Sequence, residues 1–138
     1  MPNQIIRLSV TYFLTVFAAG CVFGSIRVPF VQPLIGTRYA ELLELPLMLM
    51  VIWRASKYTV RQLKRENSSS LQPLLVGCLA LGWLMTVELG AAALFRGGWN
   101  GIRRYILDRD PVAGPAFALA VLVYMLMPVL EWRSRRAR

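Results

Sequence analysis

Three glutamates in this chain lie within apolar stretches, where charged side chains are costly. Glu41 and Glu44 are three residues apart, so on a helix they lie on one face. Glu88 is the single charge within the apolar stretch 74–95. A charge at the centre of a bilayer costs roughly 2.5–3.5 kcal/mol, so these carboxylates should face protein or water rather than lipid. In that setting a carboxylate binds a proton, forms an ion pair or contacts a polar substrate.

Two arginines complete the predicted polar cluster. Arg38 precedes Glu41 by three residues, which predicts an ion pair at one end of a helix. Arg27 directly follows the first apolar stretch. Glu88 has no arginine near it in the sequence, so we predict that it is a proton-binding carboxyl. With Glu44, these residues form one predicted intramembrane cluster.

Four apolar stretches must position this cluster. They predict helices at about residues 8–26, 37–58, 72–95 and 111–131. A helix of about 20 residues spans the ~30 Å hydrocarbon core of a bilayer. Between the last two, Trp99 and Ile106 follow helical spacing among arginines, which predicts a short interfacial helix. The predicted fold is all-α, a four-transmembrane-helix bundle forming a single integral membrane domain over residues 1–138.

Local breaks refine these boundaries. Pro29 and Pro33 predict that the first helix ends before them. The apolar segment 28–37 should then lie in the interface or against the bundle. Residues 66–70 predict a polar turn, and Asp110 predicts the N-cap of the last helix.

Small residues predict close helix packing. Gly20 and Gly24 form a GxxxG pattern on the first predicted helix, and Gly82 and Gly90 lie on the third. Glycine at such positions lets a second helix approach closely, within the bundle or from another chain.

Composition favours a membrane protein over other classes. The chain is 57% hydrophobic, with a net charge of +9 and no histidine. Its basic residues flank apolar stretches, which is typical of membrane proteins rather than nucleic-acid-binding proteins. Cys21 and Cys78 each lie inside an apolar stretch and are predicted to be small buried side chains without a mutual disulfide. We therefore expect no metal and no cofactor.

The distribution of basic residues predicts the topology. One side of the predicted bundle holds ten, namely Arg7, Arg54, Lys57, Arg61, Lys64, Arg65, Arg133, Arg135, Arg136 and Arg138. The other holds six, namely Arg27, Arg38, Arg96, Arg103, Arg104 and Arg109. The positive-inside rule then places both termini in the cytoplasm. Glu44 and Glu88 fall at nearly equal depths in the outer half, which predicts a site between the second and third helices beside Pro46.

The first third of the chain carries a family resemblance. It lies in residues 17–20 (FAAG), 24–27 (GSIR), 33–36 (PLIG) and 40–46 (AELLELP). In these motifs the chain resembles a family of uncharacterised small four-helix proteobacterial inner-membrane proteins. The resemblance implies a bacterial inner-membrane protein of about this size and implies no activity.

Three functions fit these observations. The first is a non-enzymatic subunit, accessory or scaffold component of a membrane assembly, because four short helices enclose little volume and carry small-residue faces. The second is a small proton-coupled transporter that uses Glu44 and Glu88. The third is a membrane enzyme acting on a lipophilic substrate. The expected partners are the lipid bilayer and either copies of the chain or other membrane proteins, with no nucleic acid.

Overall fold

Helices make up nearly all of the computed structural model, which describes residues 2–63 and 71–137 and has no strand among them. In chain order they are α1 (Pro2–Ile26), a π-helical segment (Arg27–Val31), α2 (Gln32–Ile35), α3 (Thr37–Gln62), α4 (Leu71–Arg96), α5 (Trp99–Leu107) and α6 (Ala113–Arg136). The all-helical prediction is confirmed for these residues. The predicted turn at 66–70 lies outside them, as do Lys64, Arg65 and Arg138, three of the basic residues used to predict the topology.

The α-helix α1 ends at Ile26, before Pro29, but the chain does not leave the helical path there. In an α-helix the ring of a proline clashes with the carbonyl four residues back. Here the chain widens into a π-helical turn, in which the Gln32 N–H bonds the Arg27 carbonyl five residues back. Pro33 then lies in the first turn of α2, where a missing N–H costs little. The helical path ends at Gly36, whose φ of 83° favours glycine.

The four long helices form a ring. Both α3 and α4 pack against α1 and α6, so α3 and α4 lie at opposite corners. One buried cluster joins the start of α1, the end of α3, the start of α4 and the end of α6: Leu8, Val60, Leu63, Val76 and Trp132. We call this the closed end. It follows that α1 and α4 run in one direction and α3 and α6 in the other.

A second buried cluster fills the middle of the bundle, with members Tyr12, Phe13, Val16, Ile52, Ala55, Ala80 and Tyr124. Tyr12 stacks on Tyr124 with ring centroids 4.8 Å apart. Tyr12 Oη also donates a hydrogen bond to the Tyr124 carbonyl at 2.8 Å. That carbonyl lacks its usual helical donor because the residue four positions on, Pro128, has no N–H. The tyrosine from α1 therefore replaces a hydrogen bond that α6 cannot make.

Within residues 2–63 and 71–137, three helical stretches are long and apolar enough to cross a membrane: Asn3–Ile35, Leu71–Arg96 and Ala113–Arg136. This indicates a membrane protein. Large apolar side chains such as Leu14, Leu79 and Leu122 are exposed on these helices, as expected for surfaces that meet lipid. The helix α3 packs beside these helices, but it mixes charged residues with its apolar ones and is less apolar than the three stretches named above.

The short helix predicted between the last two long helices is present as α5. It packs closely on α4 through Gly101, where an added Cβ would lie 2.3 Å from the Ala92 carbonyl oxygen. Its other side exposes Trp99, Ile106 and Leu107. This arrangement suits a helix whose apolar face meets the lipid interface.

Candidate functional site

A cavity of about 1150 Å³ lies at the end of the bundle opposite the closed end. Apolar and aromatic side chains from α1, α3, α4 and α6 line its inner part, which we call the floor: Val16, Phe17, Ile52, Leu84, Val121 and Tyr124. Charged and polar side chains line the remainder, which we call the rim: Arg27, Glu41, Glu44, Glu88, Arg96, Arg104, Tyr105, Asp108, Arg109 and Asp110. Since Arg96, Arg104 and Asp108 are exposed, the cavity reaches the surface.

An ion pair between Arg27 and Glu44 joins the π-helical segment to α3. The two charged groups are 2.8 Å apart, and their side chains are 26% and 16% exposed. The widened turn begins at Arg27, at the point where Pro29 prevents a regular α-helix. This partial burial makes the pair strongly coupled, because removing one partner leaves a poorly solvated charge.

A second ion pair joins the start of α3 to the residues before α6. Arg38 Nε donates to both carboxylate oxygens of Asp110, at 3.0 and 2.9 Å. The predicted pairing of Arg38 with Glu41 is therefore wrong. On a helix an acid preceding a base is the better order, and here the arginine comes first, which weakens the local pair. Asp110 instead offers both oxygens in a fixed position.

Asp110 is fixed because it also caps α6. Its Oδ1 accepts the N–H groups of Val112 at 2.8 Å and Ala113 at 3.0 Å, so the predicted capping role is confirmed. These two backbone hydrogen bonds, with the bond and charge of Arg38, hold the pKa of the Asp110 carboxyl below its usual value. The carboxylate thus stays ionised at the junction of three elements.

Glu88 contacts α5 rather than α3. Tyr105 Oη donates a hydrogen bond to Glu88 Oε2. Arg109 attracts the same carboxylate and donates from Nε to the Tyr105 carbonyl at 3.3 Å. The guanidinium of Arg109 also lies 4.5 Å from the Tyr105 ring centroid and 4.0 Å from that of Phe117. The arginine that the sequence did not place near Glu88 therefore comes from the α5–α6 connection.

Glu41 differs from the other two glutamates. It lines the cavity one turn from Glu44 but makes no ion pair or hydrogen bond with another residue in ranges 2–63 and 71–137. The structure thus brings Arg27, Glu41, Glu44 and Glu88 to one cavity. Arg38 is near the cavity but is not part of its lining.

The location of the site differs from the predicted one. Because α3 and α4 lie at opposite corners, Glu44 and Glu88 face a central cavity rather than a shared helix–helix contact. Pro46 does not line that cavity. Sequence reasoning also missed Tyr105, Arg104 and Arg109 as site residues. The sequence did contain a signal for them. The polar segment after α4 is short, so its side chains must stay near the end of the bundle.

The four glycines predicted to pack helices do not do so closely within the chain. Gly20 has only an ordinary van der Waals contact with Met48, and Gly24, Gly82 and Gly90 have no neighbour within 4 Å of an added Cβ. Gly77 is the close contact instead, since its Cβ would lie 2.0 Å from the Met125 carbonyl oxygen. The three open glycines are available to another chain.

The cysteines and acidic residues define no metal site in the described ranges. No group of three or more cysteine, aspartate or glutamate side chains there could hold a metal ion. Cys21 and Cys78 are free and exposed, so their predicted burial is wrong. Cys21 lines the cavity and Cys78 does not, a difference that apolar periodicity alone does not predict.

No family model, curated protein or solved structure matches this chain. The arrangement of the cavity is therefore the basis for a functional proposal.

Proposed function

We propose that this chain is a small multi-pass membrane protein that binds an amphiphilic molecule in the cavity and works as a component of a membrane assembly. One observation carries the binding proposal. A single cavity has an apolar floor and a rim of charged groups, so it offers each half of an amphiphile a matching environment. Ligand cavities are typically about 300–1,000 Å³, and this one is large enough for a lipid headgroup with part of its chains.

The membrane arrangement proposed here has four spanning helices. The fourth, α3, is close in length to the other three and packs between α1 and α6. Ion pairing of Glu44 to Arg27 reduces the cost of placing its charge in a membrane. Basic residues at the closed end, such as Arg61, Arg133 and Arg135, favour a cytoplasmic location for that end. The cavity then faces outward from a bacterial inner membrane, with both termini inside.

Blocking the floor tests the binding proposal. Ala120 lines the cavity on α6, whereas Ala118 on the same helix is exposed and does not. We expect Ala120→Phe to weaken binding of dioleoyl phosphatidylethanolamine at least about tenfold, a loss of about 1.4 kcal/mol. Ala118→Phe should leave binding unchanged. Native mass spectrometry of the full chain in dodecyl maltoside micelles measures both, and equal affinities for the two variants would refute the cavity as the binding site.

The proposed role as a component of a membrane assembly rests on three glycines that have free space beside them. Gly24 on α1 and Gly82 and Gly90 on α4 lie on helices that pack against each other, and each leaves space for a close neighbour. Gly82→Leu should therefore reduce crosslinking between chains in native membranes. If the wild-type chain is a monomer both in membranes and in mild detergent, the component role is wrong while the binding proposal stands.

A proton-coupled carrier is the second candidate. The observation that favours it is the hydrogen bond from Tyr105 to Glu88 inside the same cavity as Glu44. A carboxyl in such a position can couple its proton to ligand binding. Glu88→Gln should then abolish ligand-dependent proton uptake in proteoliposomes, whereas Glu131→Gln at the closed end should retain it. No uptake by the wild-type chain would exclude this candidate.

A further inference from the structure

Most of the charges around the cavity are compensated within the chain. Arg27 pairs with Glu44, and Arg38 pairs with Asp110. Glu88 accepts a hydrogen bond from Tyr105 and is attracted by Arg109. These groups hold the bundle together at its open end. They leave only a few charges for a ligand.

The remaining charges lie on two different walls. Glu41 on α3 has no ionic or hydrogen-bonding partner among the described residues. Arg96 at the end of α4 and Arg104 on α5 also line the cavity and form no ion pair there, and Asp108 follows at the C-cap of α5. The α3 wall is therefore negative by one charge. The α4–α5 wall carries two positive charges against one negative charge.

We infer that the bound amphiphile has a zwitterionic head, with a cationic amine facing Glu41 and an anionic phosphate or carboxylate facing Arg104 and Arg96. This inference rests on the proposed function. An uncompensated charge interacts more strongly in a partly desolvated cavity than in water, so each wall selects the opposite sign. A purely anionic head satisfies the arginines but meets Glu41, and a purely cationic head has the reverse problem.

The residue types fit the two halves of such a head. Arginine presents a planar fork of donors that matches phosphate and carboxylate oxygens. A primary ammonium group has three N–H donors, and a carboxylate such as Glu41 can accept hydrogen bonds from it. Both walls line the same cavity, so one head group that carries an amine and an anion can face both. An ethanolamine phosphate head has this chemistry.

Lipid selectivity tests the inference. Binding is measured on the full-length chain in dodecyl maltoside micelles with dioleoyl phosphatidylethanolamine and dioleoyl phosphatidylglycerol, which share their acyl chains and their phosphate. We expect the ethanolamine lipid to bind about tenfold more tightly, as one charged hydrogen bond provides. Glu41→Gln should remove this preference by weakening the ethanolamine lipid alone, and Glu41→Asp should retain it.

The α4–α5 wall, which carries Arg96 and Arg104, has its own matched control. Arg104→Gln should weaken both lipids several-fold, because both carry the phosphate. Arg103→Gln changes an exposed neighbour on α5 that does not line the cavity, and it should change neither affinity. Equal wild-type affinities for the two lipids would overturn the inference, as would equal losses of both in Glu41→Gln. Insensitivity of both lipids to Ala120→Phe would instead overturn the proposed function.

Free O-phosphoethanolamine distinguishes two sources of the same head chemistry. If it does not bind while the ethanolamine lipid does, the ligand is an amphiphile with this head, which supports both proposals. If it binds as tightly as the ethanolamine lipid and with the same dependence on Glu41, the zwitterionic head stands but the apolar floor contributes nothing. The amphiphile of the proposed function is then wrong, and the ligand is a small soluble zwitterion.

Discussion

Arg38 Nε lies 3.0 and 2.9 Å from the two carboxylate oxygens of Asp110, and this contact ties the start of α3 to the start of α6. The two residues are 72 positions apart in the chain. Asp110 combines this pairing with capping of α6, so one carboxylate determines how two helices meet at the open end. The rim of the cavity depends on this junction.

Asp110→Asn should lower the stability of the chain in a pH-dependent manner. The folded pKa of Asp110 is lowered, so its contribution is present above the unfolded pKa of about 3.9 and is lost as the pH falls through the folded value. The difference in thermal midpoint between wild type and Asp110→Asn should thus be full at neutral pH and shrink below about pH 4. Asp108→Asn, at an exposed neighbour, serves as the control. A difference that grows on acidification would contradict the pairing.

The Arg27–Glu44 pair predicts strong coupling between two substitutions. Arg27→Gln or Glu44→Gln alone leaves a partly buried charge without its partner, at a cost of about 1–3 kcal/mol. The double variant removes both charges and should cost less than the sum of the two single changes. Unfolding in mixed dodecyl maltoside and SDS micelles measures the three free energies. Additive losses would show that the two charges are not coupled.

Gly77 and Gly82, on the same helix, should respond to alanine in opposite directions. At Gly77 an added methyl meets the backbone of α6 2.0 Å from the Met125 carbonyl oxygen, so α4 and α6 must separate. Overpacking of this kind costs typically about 1–3 kcal/mol. At Gly82 no atom lies within 4 Å, and alanine should stabilise the helix by up to about 1 kcal/mol. The same micellar unfolding assay compares them, and equal effects would argue against the close approach at Gly77.

The helices themselves could be predicted from sequence, because each is dominated by local apolar composition. The ends of the helices were harder to predict. For α3 and α6 the helix runs on to Gln62 and Arg136 through basic residues, since lysine and arginine favour helix after the apolar stretch ends. Beyond the end of α1 the chain stays helical to Ile35, because a π-helical turn accommodates the ring of Pro29.

The candidate site was predictable only in part. Glu41, Glu44 and Glu88 stand out because charge within apolar sequence is costly. Their partners do not, because Arg27 reaches Glu44 and Tyr105 reaches Glu88 through the packing of different helices. Sequence spacing reports neighbours on one helix and is silent on which helices share an edge of the ring. The diagonal placement of α3 and α4 therefore could not be predicted from sequence spacing.

The hydrogen bond from Tyr12 to the Tyr124 carbonyl gives a test of the bundle centre. Pro128 removes the helical donor for this carbonyl, so Tyr12→Phe leaves a buried acceptor without a partner, at a cost of about 1–3 kcal/mol. Tyr124→Phe should have little effect, because Tyr124 Oη has no hydrogen-bond partner among the described residues.

A second background separates this cause from any other role of the Tyr12 hydroxyl. Pro128→Ala restores an N–H four residues after Tyr124, and the carbonyl can then be satisfied within α6. In that background Tyr12→Phe should cost clearly less than in the wild type, as measured by unfolding in mixed micelles. A cost that is the same in both backgrounds would contradict the idea that the Tyr12 hydroxyl replaces the helical donor missing at Pro128.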